Sequence, residues 1–148
     1  MVLKELIKSK NFALILSHQS PDGDSVGSSV SLSLYLKKIG LDNKIIFPDS
    51  YPLFLSWMKG LNESIIASDN LALVEDLFNK SDLIFCLDFN NRSRLGNDLK
   101  SLIYNINDKY IFVIDHHLNP EKFGNFQIIK PNASSTSELI YNLIKSNN

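Results

Sequence analysis

A chain of 148 residues can build one domain with a sizeable buried core and is too short for two ordinary ones. Its formal net charge of −1 excludes the basic surplus by which a protein grips nucleic acid through electrostatics alone, and its single cysteine excludes an internal disulfide. No apolar run approaches the ~20 residues needed to span a bilayer, and the opening M-V-L-K-E-L-I-K lacks the apolar core of a signal peptide, so a cytoplasmic protein with no membrane partner is expected.

Leu3, Leu6 and Ile7 stand at helical spacing, and Asn11 is a natural stop. Phe12 to Ser17 is a continuous apolar run of strand length, as expected of a strand covered on both faces in a parallel sheet. The run leads into H-Q-S-P-D-G-D-S-V-G-S-S, in which Asp24 or Ser25 is expected to cap a helix ending at Gly40. In that helix Val26, Val30 and Leu34 share one side, while Gly27, Ser28, Ser29, Ser31 and Ser33 keep it slim enough to approach a sheet or a ligand. Lys44 to Phe47 reads as a second strand, closed by Pro48.

The aromatic stretch Y-P-L-F-L-S-W-M-K-G-L has no clear period; Tyr51, Phe54 and Trp57 are expected to cover the sheet, with a base-stacking platform as the alternative. A weak strand over Ser64 to Ala67 and a helix over Asn70 to Asn79 follow, the helix with Leu71, Val74, Leu77 and Phe78 on one side. Leu83 to Leu87 is a third strong strand, in which Cys86 is expected to be a buried structural thiol. After the loop D-F-N-N-R-S-R-L-G come a helix over Asp98 to Ile106, a strand over Tyr110 to Ile114, the segment D-H-H-L-N-P, an edge strand over Phe126 to Ile129 and a last helix. That helix opens on S-S-T-S-E, where Ser135 and Glu138 have capping-box spacing. Strands alternating with helices give an α/β domain with an open, mainly parallel sheet and helices on both faces.

Three of the apolar runs end in metal-ligand chemistry: His18, Asp22 and Asp24 after the first, Asp88 after the third, and Asp115, His116 and His117 after the fourth. All three histidines of the chain lie in these clusters. Open parallel sheets bind ligands beyond the carboxyl ends of their strands, so the clusters are expected to converge. Mixed carboxylates and imidazoles favour Mn²⁺, Fe²⁺, Co²⁺ or Zn²⁺ over Ca²⁺, and no cysteine accompanies them to make a structural zinc site. So many carboxylates would repel one another without cations, which suggests two divalent ions bridged by a shared Asp, typically ~3.5–4 Å apart. Adjacent histidines leaving a strand should point different ways, so that at most one of His116 and His117 serves a given ion.

Together, H-Q-S-P-D-G-D-S-V-G-S-S, L-D-F-N and D-H-H-L-N-P resemble the DHH phosphoesterase family, and within it the branch of nanoRNases and phosphatases of 3′-phosphoadenosine 5′-phosphate. The resemblance implies that His18 and Asp22 bind one Mn²⁺, that Asp24 and His116 bind a second, and that Asp88 bridges them. It also implies that His117 faces the scissile phosphate with Asp115 orienting the pair behind it. Arg94 is placed to touch substrate or the sheet edge, with a surface salt bridge as an equal alternative. The implied substrates are short oligonucleotides and nucleoside bisphosphates. The alternatives are a signalling-dinucleotide phosphodiesterase, a pyrophosphatase, and a non-catalytic metal-binding domain. Family members carry one more metal-binding Asp after the S-S-T-S-E helix and a second, smaller domain, so residues 1–148 are expected to be the amino-terminal domain of a longer enzyme, whose uncovered cleft wall would favour a homodimer.

Overall fold

The computed structural model describes residues 3–147. Six strands form one sheet in the order β3-β2-β1-β4-β5-β6, and every neighbouring pair is parallel. The strands are β1 (Phe12–Leu16), β2 (Asp42–Phe47), β3 (Ile65–Ile66), β4 (Leu83–Leu87), β5 (Tyr110–Asp115) and β6 (Phe126–Ile129). They alternate with α1 (Leu3–Ile7), α2 (Gly23–Lys38), α3 (Leu71–Lys80), α4 (Gly96–Tyr104) and α5 (Thr136–Ser146).

Strand side chains alternate between faces, and both faces here are covered. Ala13, Ile15, Leu83, Phe85, Leu87, Phe112 and Ile114 pack with α1, α2 and α5. Leu14, Leu16, Ile84, Cys86, Ile111 and Val113 pack on the other face with Val74 and Phe78 of α3 and Leu99 and Ile103 of α4. A strand with two apolar faces reads as an unbroken apolar run, which is why β1, β4 and β5 were legible in the sequence. Cys86 is fully buried, and burial pushes its thiol far above its ordinary pKa, so it is packing and not a nucleophile.

Several local expectations differ from the structure. Asp22, not Asp24 or Ser25, caps α2, its Oδ1 accepting the Asp24 and Ser25 N–H groups at 3.0 Å each. Leu34 lies exposed on α2 while Leu32, Tyr35 and Leu36 are buried, because α2 is covered by both the sheet and α5 and its buried face is set by them. Phe54 and Trp57 do not cover the sheet: they are 75% and 79% exposed, and only Tyr51 turns inward, edge-on to Phe47 at 5.8 Å. At α5, Ser135 Oγ accepts the Glu138 N–H at 3.0 Å, but the Glu138 carboxylate reaches back to Ser134 N and Oγ, both at 2.8 Å.

Going outward from β1, the chain lays down β2 and β3 on one side; it then returns to β4 and lays down β5 and β6 on the other. The strand order therefore reverses between β1 and β4. Open α/β sheets place their ligand crevice at such a reversal, at the carboxyl ends of the two strands that flank it. His18 follows β1 and Asp88 follows β4.

Candidate metal centre

β4 delivers Asp88 by leaving the sheet abruptly. Its backbone adopts φ 65°, a left-handed conformation uncommon for a residue with a side chain, and its N–H is held by the Ile114 carbonyl at 3.1 Å. The residue is 1% exposed. Its Oδ1 accepts one hydrogen bond, from the Thr136 hydroxyl at 2.9 Å, and it stands 3.7 Å from His116 Nε2 and 3.9 Å from His117 Nδ1. Its Oδ2 lies 3.5 Å from His18 Nε2.

Two donor sets share this residue: His18, Asp22 and Asp88, and Asp88, His116 and His117, each with ligand atoms within 4.8 Å of one another. Asp24 stands beside the second set, its Oδ2 3.7 Å from His116 Nε2. The three sequence clusters therefore meet. The histidine pair does not diverge as expected: β5 ends at Asp115, the chain turns there, and both imidazoles approach Asp88 with ring centroids 4.8 Å apart. Asp115 lies behind them, fully buried, its Oδ1 accepting from His117 Nδ1 at 2.7 Å.

The electrostatics are those of a site short of positive charge. Burial is the largest influence on Asp88 and raises its pKa; Asp24's charge adds to the rise, while the His18 and Thr136 contacts oppose it. Burial works against a charged His18, yet the Asp88 carboxylate and the Gln19 carbonyl outweigh it and raise its pKa above 6.5. Asp24 goes the other way. Its burial is outweighed by the Ser137 hydroxyl and N–H and the Thr136 N–H, with His116 assisting, and its pKa falls.

These residues fit a divalent cation. His18 Nδ1 lies 2.6 Å from the Gln19 carbonyl oxygen, so the neutral ring carries its proton there and turns the Nε2 lone pair toward the Asp88 carboxylate. Two electron-rich groups 3.5 Å apart are too far for a good hydrogen bond and suitably spaced as neighbouring ligands of one ion, each at ~2.0–2.2 Å from it. Asp115 Oδ2 is a further buried acceptor with no hydrogen-bond partner among the described residues.

Reasoning from the sequence missed the contribution of α5. The Thr136 and Ser137 N–H groups, the first two of that helix, bind Asp24 Oδ2 and Oδ1 at 2.8 and 2.7 Å, where the positive end of a helix favours an anion. The capping signal at S-S-T-S-E marked a helix start, but nothing in it pointed 112 residues back to Asp24. The tie between the β4 and β5 loops was missed too. Arg92 bonds Glu121 through Nε at 3.0 Å and Nη2 at 2.5 Å and lies 3.8 Å above the Tyr104 ring. Arg94 makes no salt bridge among the described residues. Its carbonyl accepts the Gln19 N–H at 2.8 Å, and its charge lies close enough to His18 to oppose protonation there.

A family model described as DHH family, N-terminal domain, matches residues 13–148. The chain is 28% identical over 137 residues to the probable bifunctional oligoribonuclease and PAP phosphatase NrnA of Streptococcus mutans, covering 90% of this chain and 38% of that protein. It is 25% identical over 121 residues to a probable manganese-dependent inorganic pyrophosphatase of Bacillus mycoides, covering 80% of this chain and 34% of the relative. A crystal structure of an exopolyphosphatase-related protein from Bacteroides fragilis matches with a TM-score of 0.93 at 33% identity, over 99% of this chain and 42% of that one. The chain thus spans well under half the length of these relatives.

Proposed function

The chain belongs to the DHH family, and we propose that it holds two divalent cations, Mn²⁺ by preference, and serves the hydrolysis of phosphoester bonds in short oligoribonucleotides and in 3′-phosphoadenosine 5′-phosphate. The relatives are more than twice as long, so this activity is proposed for a protein of that length, with these 148 residues as its metal-holding domain. The observation that carries the reading is Asp88, a buried carboxylate common to two donor sets. The similarity to an oligoribonuclease and PAP phosphatase supports the substrate class, and the manganese dependence in the name of another relative supports the metal.

In this reading His18 and Asp22 hold one ion, Asp24 and His116 the other, and Asp88 both. Such ions supply an acidified water and offset the charge of the phosphoryl oxygens. α5 fixes Asp24 through two amides and steadies Asp88 through the Thr136 hydroxyl, which orients ligands as outer partners commonly do. His117, held at Nδ1 by Asp115, keeps Nε2 available to hydrogen-bond a phosphoryl oxygen or to give a proton to the leaving oxygen. Arg94, beside His18, adds positive charge toward a phosphate.

A substrate panel with Mn²⁺ tests the reading: a diribonucleotide, 3′-phosphoadenosine 5′-phosphate, a cyclic dinucleotide and pyrophosphate. We expect turnover of the first two, abolished in Asp88→Asn. Rapid pyrophosphate cleavage without dinucleotide turnover would move the assignment to the pyrophosphatase branch, and a metal-loaded protein of the relatives' length that turns over none of them would leave a metal-binding domain without catalysis.

A further inference from the structure

On the β2 and β3 side of the same sheet edge as the candidate metal ligands, two cavities share one lining residue, Asp49. The larger, of about 420 Å³, is lined by Ser20, Pro21, Asp49, Ser50, Tyr51 and Pro52. The smaller, of about 160 Å³, runs from Asp49 past Gln19 to the start of α4 at Gly96. Together they lie within the size range of small-molecule sites. Ser20 and Pro21 stand between His18 and Asp22 in the chain, so Ser20 Cα is within about 7.6 Å of the Cα atoms of both. The larger cavity is thus lined by two of the residues that join the candidate ligands His18 and Asp22.

Its chemistry is opposite to that of a phosphate site. The lining residues include the acidic Asp49 and Asp98 and the neutral polar Gln19, Ser20, Ser50 and Asn97, with no lysine or arginine among the described ones. An anion entering it would be repelled. An uncharged group rich in hydrogen-bond donors would not be, and the Tyr51 ring with Pro21 and Pro52 offers it apolar surface. Asp49 Oδ1 is committed to the Ser20 N–H at 2.7 Å, which fixes the carboxylate against the loop. Asp49 Oδ2 makes no hydrogen bond among the described residues and remains an acceptor.

From this juxtaposition we propose that the Asp49 cleft is a nucleoside subsite: it takes the uncharged sugar and base of a nucleotide whose phosphate lies at the metal centre, with Asp49 accepting from ribose hydroxyl or base amino groups. The proposal rests on the phosphoester reading above and sharpens it, because a cleft of this charge selects nucleotides over pyrophosphate and polyphosphate.

The test is calorimetric titration of the Mn²⁺-loaded protein with inorganic phosphate and with adenosine 5′-monophosphate, together with adenosine alone followed by saturation-transfer NMR. Adenosine monophosphate should bind at least tenfold more tightly than phosphate. In Asp49→Asn the Ser20 bond survives on Oδ1 while the outer acceptor becomes a donor, and most of that tenfold gain should vanish with phosphate affinity and Mn²⁺ uptake unchanged. Tyr51→Leu keeps the apolar packing, removes the flat face and should reduce the same gain. Weaker binding of 2′-deoxyadenosine would support the proposal with the contact on the ribose, and equal binding would support it with the contact on the base. An undiminished gain in both variants, or an equal loss for phosphate and nucleotide, would overturn the subsite. Adenosine binding that depends on Asp49 in a protein that binds no phosphate would keep the subsite and overturn the phosphoester reading instead.

Discussion

β4 is flanked by two aspartates, and their surroundings differ. Asp82, before the strand, is closed by the chain: Oδ2 accepts the Asn11 backbone and side-chain N–H groups at 2.9 and 3.2 Å, and Oδ1 accepts the Phe12 N–H at 3.3 Å. These bonds fasten the start of β1 to the start of β4. Asp88, after the strand, is more deeply buried and less satisfied, with one hydroxyl donor and three imidazole nitrogens at 3.5–3.9 Å. A carboxylate meant only for structure is saturated with donors from the chain. One that is buried, strained in its backbone and ringed by imidazoles at ligand spacing is organised for something outside the chain. The amino edge of the sheet ties strands together, and the carboxyl edge gathers the candidate ligands.

Four experiments can break or sharpen that contrast. The largest effect is expected at the carboxyl edge: His117→Ala should lower kcat by roughly 10²–10⁴-fold, the usual range for a lost general acid, with Mn²⁺ affinity little changed. A loss of metal affinity in place of turnover would make His117 a ligand. Next is Thr136→Val, which removes the donor to Asp88 but keeps the shape. Mn²⁺ affinity should fall about 10–100-fold, as for other residues that steady a ligand from behind, and an unchanged affinity would mean that the Thr136 hydroxyl plays no part in the site.

At the amino edge Asp82→Ala should cost about 0.5–1.5 kcal/mol of unfolding free energy, the usual net worth of a hydrogen bond whose donors water can reach, with Mn²⁺ affinity untouched. A fall in metal affinity would show that the two edges are not separable. The smallest effect concerns Glu121, whose carboxyl is held below its ordinary value of 4.5 chiefly by the Arg92 guanidinium. A depressed carboxyl contributes stability that is present above its unfolded value and lost as pH falls through the folded one. Wild type should therefore lose stability below about pH 4.5 more steeply than Glu121→Gln, read as Tm against pH. Parallel profiles would mean that the clamp between the β4 and β5 loops is not electrostatic.

The sequence revealed what depends on local pattern. Apolar runs marked β1, β4 and β5, and the ionisable residues just after them marked the candidate site, because in a parallel sheet both follow from strand direction. What it hid depends on tertiary approach. The amides of Thr136 and Ser137 reach Asp24 only because α5 packs along α2, and the left-handed turn at Asp88 leaves no residue-type signature when glycine is not used. Phe54 and Trp57 were misread for a different reason. Large apolar residues are common on protein surfaces, and composition without periodicity cannot say which way they face.

The most direct test of the account is the number of Mn²⁺ ions bound per chain, counted by equilibrium dialysis with atomic spectroscopy in wild type and three variants. Wild type should bind two, His18→Ala and His116→Ala one each, and Asp88→Ala none, because Asp88 belongs to both donor sets. Asp88→Ala binding as many ions as wild type would contradict the shared site on which the functional reading stands.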